Sequence, residues 1–252
     1  MLNIGIRAAH AAGDHIIRYV DRLEGMSVDT KGKNDFVSEV DRQAENIIID
    51  KIRSAFPQHS ILAEESGEIG ENEYQWIIDP LDGTTNFLHG FPHFAVSIGL
   101  KHKGVMDQAI IYDPLRQELF TASKGSGAHL NNRRLRVSKQ KKLDGALLGT
   151  GFPYSDMQHL PKYLKTFEEL CPRCAGIRRA GSAALDLAYV AAGRLDGFWE
   201  YGLKPWDIAA GSLLILEAGG LINCIDKSDD YLKSGNVVSG NPDICPQLAK
   251  FL

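Results

Sequence analysis

The residues from Trp76 to Asn86 constrain the fold more than any other stretch of this chain. They begin with three apolar residues, a pattern typical of a buried strand. Two carboxylates follow, Asp79 and Asp82, separated by Pro80 and a leucine. Proline has no N–H group for a strand ladder, so Pro80 predicts that the strand stops there. The sequence therefore predicts a buried strand whose end presents two acidic side chains.

The chemistry of this stretch fits a magnesium and phosphate site. The proline fixes its own φ angle, which lets Asp79, the Leu81 carbonyl and Asp82 turn toward one point. Carboxylate and carbonyl oxygens are the ligands that Mg²⁺ prefers in proteins. Gly83 and Thr84 then predict a turn or the start of a helix, where free N–H groups suit an anion. The residues by themselves thus predict a Mg²⁺–phosphate site.

Helical and strand patterns alternate along the rest of the chain. Apolar residues recur at helical spacing up to about Glu24 and again from Ala44 to Phe56, which predicts two amphipathic helices. The polar residues between them, Thr30–Asp35, predict a loop or the tip of a hairpin. Further helices are expected at residues 156–170, 182–192 and 205–218. Helices mixed with meandering strands predict the α+β class and argue against a repeating βαβ array.

Composition narrows the class of protein further. With 252 residues and 44% hydrophobic side chains, the chain is long enough for a sizeable core. A formal net charge of −4 gives no overall field that would favour nucleic acid or an anionic membrane. The N-terminus lacks a signal-peptide pattern, and no apolar run reaches membrane-spanning length. The four cysteines are few for this length and indicate reduced thiols, so we expect a cytoplasmic globular protein.

Several stretches together resemble the inositol monophosphatase family, part of a wider superfamily of Mg²⁺-dependent, Li⁺-sensitive phosphatases. The residues from Trp76 to His89 resemble the first signature of that family, and those from Trp206 to Gly220 resemble the second. Residues 63–66 and 181–184 also match in order and spacing, so the resemblance covers nearly the whole chain. The run Arg178–Asp186 is similar to that of a bacterial branch of the family.

The resemblance implies a layered αβαβα sandwich of helices and sheets, built by a single unit over residues 1–252. The site would lie between an N-terminal half, about residues 1–140, and a C-terminal half, about residues 141–252. The first half contributes Glu64, Asp79 and Asp82, and the second contributes Asp207. The resemblance also implies a homodimer and inhibition by Li⁺.

Metal ligands are implied residue by residue. Glu64, Asp79 and the Leu81 carbonyl match the ligands of a first Mg²⁺ ion. Asp79, Asp82 and Asp207 match the ligands of a second. Glu64 also resembles the ligand of a third, more hydrated and weaker Mg²⁺, which makes two to three ions per subunit.

Catalytic and substrate-binding roles are implied in the same way. Thr84 with Glu64 matches the pair that activates a water, and Asp41 resembles the carboxylate that orients this pair. The N–H groups of Gly83 and Thr84 would bind phosphate oxygens. On the substrate side, the family spacing implies a backbone contact at Ala183 and a hydrogen bond from a sugar-alcohol hydroxyl to Glu200.

These roles imply a phosphomonoesterase that hydrolyses inositol 1-phosphate, or a related sugar or polyol monophosphate, by attack of a metal-activated water. The same metal core would also serve a fructose-1,6-bisphosphatase, a 3′-phosphoadenosine 5′-phosphate phosphatase or a histidinol phosphatase, and these alternatives stay open. A hypothesis from another class comes from the basic cluster, which we define as Arg133–Lys142. A chain with such a cluster could act as a regulator that binds RNA or a protein.

Other motifs for phosphate or metal binding do not fit. Asp79 and Asp82 are three residues apart. An aspartyl-phosphate phosphatase of the haloacid dehalogenase type needs two aspartates at a spacing of two residues. The chain has no P-loop motif. Cys171 and Cys174 form a lone CxxC pair, and the remaining cysteines and histidines do not stand at zinc-ligand spacing. We therefore expect incidental thiols at this pair.

Overall fold

The computed structural model describes residues 1–20, 28–32, 35–154, 157–226, 228 and 230–252. Its α-helices are α1 (Leu2–Ile17), α2 (Glu39–Ala55), α3 (Thr84–Leu88), α4 (Leu160–Leu170), α5 (Ala183–Ala191), α6 (Pro205–Glu217), α7 (Tyr231–Ser234) and α8 (Ile244–Leu248). Its strands are β1 (Val28–Gly32), β2 (Asp35–Ser38), β3 (Ser60–Ala63), β4 (Gly67–Ile69), β5 (Tyr74–Asp82), β6 (Ala95–His102), β7 (Val105–Asp113), β8 (Glu118–Ser123), β9 (Gly127–Leu130), β10 (Arg133–Arg134), β11 (Leu147–Thr150), β12 (Gly176–Arg178), β13 (Gly197–Glu200), β14 (Leu221–Cys224) and β15 (Val237–Gly240).

The strands form two large sheets and one hairpin. An eight-stranded sheet has the order β10-β9-β8-β7-β6-β5-β3-β4, and a five-stranded sheet has the order β12-β11-β13-β15-β14. Most neighbours are antiparallel, but β3 runs parallel to β5, and β11 runs parallel to β12 and β13. The hairpin pairs β1 with β2, so of the loop and the hairpin tip that were predicted for Thr30–Asp35, the hairpin is the one observed. Residues 33 and 34 of that prediction lie outside the described residues.

Alternating burial explains the layering of helices and sheets. On β5, Trp76 and Ile78 pack into the core beneath α1 and α2, whereas Ile77 packs into the core beneath α5 and α6. On β13, Phe198 joins the α5 and α6 core, and Trp199 joins a third core with α4 and α8. Because successive side chains of a strand point to opposite faces, both sheets are covered on two sides. This αβαβα order confirms the predicted fold class.

The predicted helices are confirmed with one correction. Helix α1 ends at Ile17, before the end of the predicted range. The next N–H groups, those of Arg18, Tyr19 and Val20, bond to carbonyls three residues back, so the helix tightens into a turn. Residues 21–24 of the predicted helix lie outside the described residues, as does residue 156 at the predicted start of α4.

The predicted strand stop at Pro80 is wrong. Strand β5 continues through Pro80 to Asp82. Its pairing with β6 shifts register, because Asp79 lies opposite Ser97 and Asp82 lies opposite Ala95. One extra residue is therefore accommodated in a β-bulge, the place inside a sheet where a proline is tolerated.

We looked for membrane-spanning helices in the part of the chain that the structure describes and found none. None of the helices there combines the length and the apolar character needed to cross a bilayer.

Candidate metal and phosphate site

The bulge in β5 sets the direction of the two acidic side chains. In a regular strand, residues three positions apart point to opposite faces of the sheet. The extra residue between Asp79 and Asp82 removes that difference, so both carboxyl groups reach the same end of the strand. The N–H group of Leu81 donates to Oδ1 of Asp79 over 3.0 Å, which stabilises the bulged backbone.

Helix α6 brings a third carboxylate to this point. Pro205 occupies the first turn of α6, where its missing N–H is harmless. Asp207 lies in the same turn, and its Oδ2 accepts the N–H group of Lys204 over 2.7 Å. One oxygen each from Asp79, Asp82 and Asp207 lies within 4.8 Å of the others. We call these three residues the acidic cluster, and its oxygens are close enough to share a divalent cation.

Glu64 joins the same edge of the sheet because β3 runs parallel to β5. The carboxyl ends of parallel neighbours meet at one edge, and Glu64 directly follows β3. Its N–H group donates to the carbonyl of Ile78 over 3.1 Å. Its side chain hydrogen-bonds with Asp79 and contributes to the raised pKa of that residue.

Burial and mutual repulsion raise the pKa values of the clustered carboxyl groups. Desolvation is the largest cause of the pKa of Asp79 lying well above its usual range, and the charges of Glu64, Asp82 and Asp207 raise that pKa further. Desolvation likewise raises the pKa of Asp82 to about 6 and the pKa of Asp207 to about 8. Like charges in a buried site are costly unless a cation balances them. The electrostatics therefore favour binding of a positive ion.

Thr84 and Asp41 form a hydrogen-bonded pair beside the acidic cluster. Asp41 lies on α2 and is fully buried. The hydroxyl of Thr84, at the start of α3, is 2.7 Å from Oδ1 of Asp41 and 3.0 Å from the carbonyl oxygen of Leu81. A hydroxyl has one proton to donate, and the shorter contact assigns it to Asp41. Gly83 precedes Thr84 with a φ of +98°, the left-handed region that favours glycine.

Contacts across the two halves of the chain support Asp82. Oδ2 of Asp82 accepts the hydroxyl of Ser182 over 2.5 Å and the N–H group of Ala184 over 2.7 Å. The side-chain amide of Asn86 donates to the carbonyl of His93 over 2.8 Å and to that of Ala180 over 2.9 Å. The start of α5, including Ala183, is thereby tied to the end of β5. The sequence did not indicate the contacts of Asp82 with Ser182 and Ala184 or of Asn86 with Ala180, because these partners lie 94 to 102 residues apart along the chain.

Glu200, at the end of β13, lies in a second group of charged side chains. Burial raises the pKa of Glu200 well above its usual range, the charge of Asp186 raises it further, and that of Arg179 lowers it. Asp186 is itself buried on α5, and its pKa is raised mainly by desolvation. Gly151 leaves room for Glu200, since a Cβ atom there would lie 1.8 Å from Oε1 of Glu200. Asp186 and Gly151 were not indicated by the sequence.

The remaining candidates do not form a site of this kind. In the basic cluster, the charged side chains are exposed, namely those of Arg133, Arg134, Arg136, Lys139, Lys141 and Lys142. Cys171 is exposed and Cys174 is half-buried, and neither forms a disulfide. Over the described ranges, the acidic cluster is the one group of three or more potential ligand residues close enough to hold a metal ion.

The fold and the site together define a layered α+β protein with a carboxylate site for a cation. The sequence profile of the inositol monophosphatase family matches residues 1–251. The chain belongs to this family, and it is therefore a phosphatase of the inositol monophosphatase type.

Individual relatives agree with this assignment. The chain is 57% identical over 247 residues to the Nus factor SuhB of Pseudomonas aeruginosa, covering 96% of this chain and 91% of that protein. It is 45% identical to a crystal structure of the extragenic suppressor protein suhB from Bartonella henselae, with a TM-score of 0.96 over 99% of this chain and 96% of that one. It is 42% identical to an inositol monophosphatase from Anabaena, with a TM-score of 0.89 over 99% and 94%.

Proposed function

We propose that the protein is a Mg²⁺-dependent phosphomonoesterase that hydrolyses inositol 1-phosphate or a related polyol monophosphate. The observation that carries this proposal is the convergence of the acidic cluster beside the start of α3, with ligand oxygens within 4.8 Å of one another. The family assignment supports the reaction class, and the Anabaena relative is named as an inositol monophosphatase.

The donor atoms suit Mg²⁺, because they are carboxylate oxygens and one backbone carbonyl. Glu64, Asp79 and the Leu81 carbonyl would hold one ion, and Asp79, Asp82 and Asp207 would hold a second. Glu64 would hold a third, more hydrated ion. When bound, these ions supply a water of lowered pKa and neutralise charge on the phosphate and leaving oxygens.

The protein's own groups would orient and deprotonate the attacking water. Because the Thr84 hydroxyl donates a hydrogen bond to Asp41, the lone pairs of the Thr84 oxygen are available to accept a hydrogen bond from water. Glu64 would take the proton of that water as general base. The N–H groups of Gly83 and Thr84 stand at the start of α3, where no preceding helical turn supplies acceptors, and would hold phosphate oxygens.

Substrate selection would fall to Glu200 and the start of α5. The Glu200 carboxyl would hydrogen-bond a ring hydroxyl, and the backbone at Ala183 would contact the ring. A substrate without a hydroxyl at that position would lose this contact, which separates polyol phosphates from simple aryl phosphates. Fructose 1,6-bisphosphate, 3′-phosphoadenosine 5′-phosphate and histidinol phosphate remain the alternative substrates for the same metal core.

The test is release of inorganic phosphate from a panel of these esters, with and without Mg²⁺, using Asp82→Asn as the blank. We expect Mg²⁺-dependent turnover with a preference for inositol 1-phosphate and inhibition by Li⁺. Mg²⁺-dependent turnover of another ester would keep the mechanism and change the substrate. Turnover by Asp82→Asn at the wild-type rate would contradict the metal assignment.

Residues 1–252 would act as a single unit, because Asp82 is supported by residues of the C-terminal half. We further propose a cytoplasmic homodimer. The rings of Phe152 and Tyr154 are exposed and contact each other, which supports a self-association surface there. Sedimentation velocity is expected to give twice the mass of 27.7 kDa, whereas a monomer at micromolar concentration would contradict the dimer.

A second candidate function is regulation of transcription by binding RNA or a protein. The name of the Pseudomonas relative, Nus factor SuhB, favours it, and the basic cluster is exposed as such a surface requires. Reversing the charges of Arg133, Arg134 and Arg136 to Glu should abolish partner binding and leave phosphate release intact. Asp82→Asn should do the opposite.

A further inference from the structure

One face of helix α2 carries two buried acidic side chains that both point toward the catalytic region. Asp41 and Glu45 are four residues apart, so they lie on the same face of the helix, one turn from each other. Their exposed fractions are 0% and 2%. Acidic side chains are almost never fully buried unless they are paired. Each of these two must therefore have partners inside the protein.

The partners of Glu45 are backbone groups next to Glu64. Oε2 of Glu45 accepts the N–H group of Glu65 over 2.8 Å, and Oε1 accepts the N–H group of Ser66 over 2.9 Å. These are the two residues that directly follow Glu64. Ser66 is exposed, so the turn that it belongs to is not fixed by burial. A carboxyl group that accepts with both oxygens holds this turn in one orientation.

The backbone on the other side of Glu64 is fixed by the sheet. Its N–H group donates to the carbonyl of Ile78 on β5, and β3 pairs with β5 up to Ala63. Glu64 is therefore the first residue of the turn that joins β3 to β4, where Ala63 pairs with Gly67. Glu45 binds the N–H groups of the other two turn residues, and these restraints together limit the backbone conformations open to Glu64.

Helix α2 thus restrains both members of the water-activating pair. Asp41 accepts the hydroxyl of Thr84 over 2.7 Å, and Glu45 clamps the turn after Glu64. We propose that Glu45 is a positioning residue, which sets the Glu64 carboxylate at the distance from Thr84 and Asp79 that the attacking water and the metal ions require. This inference rests on the proposed role of Glu64 as ligand and base.

The variant Glu45→Gln tests this proposal with little change in volume. Glutamine keeps one acceptor oxygen but turns an NH₂ group toward the other N–H donor, so one hydrogen bond becomes a repulsion. Mutation of residues that orient metal ligands through hydrogen bonds typically changes metal affinity or activity by about 10- to 100-fold. We expect weaker binding of Mn²⁺, titrated alone by EPR, and a lower kcat, each within about that range, with an unchanged KM.

Two variants of the same helix serve as controls. Ile52→Val creates a small cavity in the core and destabilises the fold without touching the site. Glu39→Gln removes an exposed charge at the start of the helix. All proteins are compared well below their thermal midpoints. Both controls should bind Mn²⁺ and turn over like the wild type.

The outcomes separate a positioning role from a general structural one. The proposal would be overturned if Glu45→Gln had the same Mn²⁺ affinity and the same kcat as Ile52→Val. A second measurement uses the wild type and does not depend on whether Glu45→Gln folds. The Glu65 and Ser66 amide protons should exchange with D₂O far more slowly than expected for an exposed turn. Free exchange of these amide protons would overturn the proposal. A wild type that binds Mn²⁺ but hydrolyses no ester would refute the proposed function alone, and the Mn²⁺ comparison would still decide the role of Glu45.

Discussion

The acidic cluster and the basic cluster are two regions rich in charge, and they differ in burial and in geometry. The acidic side chains come from a bulged strand and a helix start, converge within 4.8 Å and have raised pKa values. The basic side chains follow one another along the chain and are exposed. Buried like charges have a strong need for a counter-ion, whereas exposed charges are solvated and screened. Convergence and burial, more than the number of charges, indicate where chemistry occurs.

The largest expected effect comes from removing one charge of the acidic cluster. Asp79→Asn keeps the acceptor for the Leu81 N–H group but removes a metal ligand. Because metal ions contribute several kcal/mol to such reactions, phosphate release should fall by about 10³-fold or more. At alkaline pH, where the carboxyl groups of the cluster are ionised, the same variant should raise the thermal midpoint of the metal-free protein, since repulsion is relieved. A lower midpoint in the metal-free state would contradict the repulsive electrostatics described for the cluster.

The second prediction concerns pH in the absence of metal. The folded pKa of Asp207 is about 8, above its ordinary value, so the folded state binds more protons than the unfolded state between about pH 4 and pH 8. Stability must then fall as pH rises through that window. Calorimetry without Mg²⁺ should show this decline, and added Mg²⁺ should raise the midpoint more at pH 8 than at pH 6. A metal-free midpoint that rises over this range would contradict the raised pKa.

A smaller effect is expected where Glu200 meets Gly151. A Cβ atom at position 151 would overlap the Glu200 carboxyl, so Gly151→Ala should displace that group. Loss of a hydrogen bond to a charged group costs about 1.5–3 kcal/mol. The KM for inositol 1-phosphate should therefore rise by at least about tenfold, while that for p-nitrophenyl phosphate should not change. Gly176→Ala, beside the exposed side chain of Arg178, is the matched control.

The smallest effect is expected in the basic cluster. Replacing Lys139, Lys141 and Lys142 with Gln removes exposed charges that lie outside the acidic site. The free energy of unfolding should change by no more than about 0.5 kcal/mol per substitution. Phosphate release should stay within about twofold of the wild type, because exposed charges are solvated and screened by salt. A loss of activity comparable to that of Asp79→Asn would remove the contrast between the two clusters.

Local sequence patterns predicted much of the fold. The apolar periodicity of α2, the small-residue run of α5 and the Pro205 start of α6 each match an observed helix. The prediction that the strand ends at Pro80 was wrong, because a proline indicates a strand end unless the pairing partner shows that a bulge accommodates it. The bulge opposite β6 is a property of two strands, and one strand alone does not encode it.

The sequence by itself determined the types of residue at the site and their order along the chain. The Asp79–Thr84 stretch carries two carboxylates, a carbonyl and a helix start within a few residues, and that local chemistry predicts a cation–phosphate site. Tertiary structure decided which distant groups complete it. Ser182 reached Asp82, Gly151 made room for Glu200, and Glu45 held the turn after Glu64. These contacts depend on how strands register and helices pack, and that packing is fixed by the burial of the whole core.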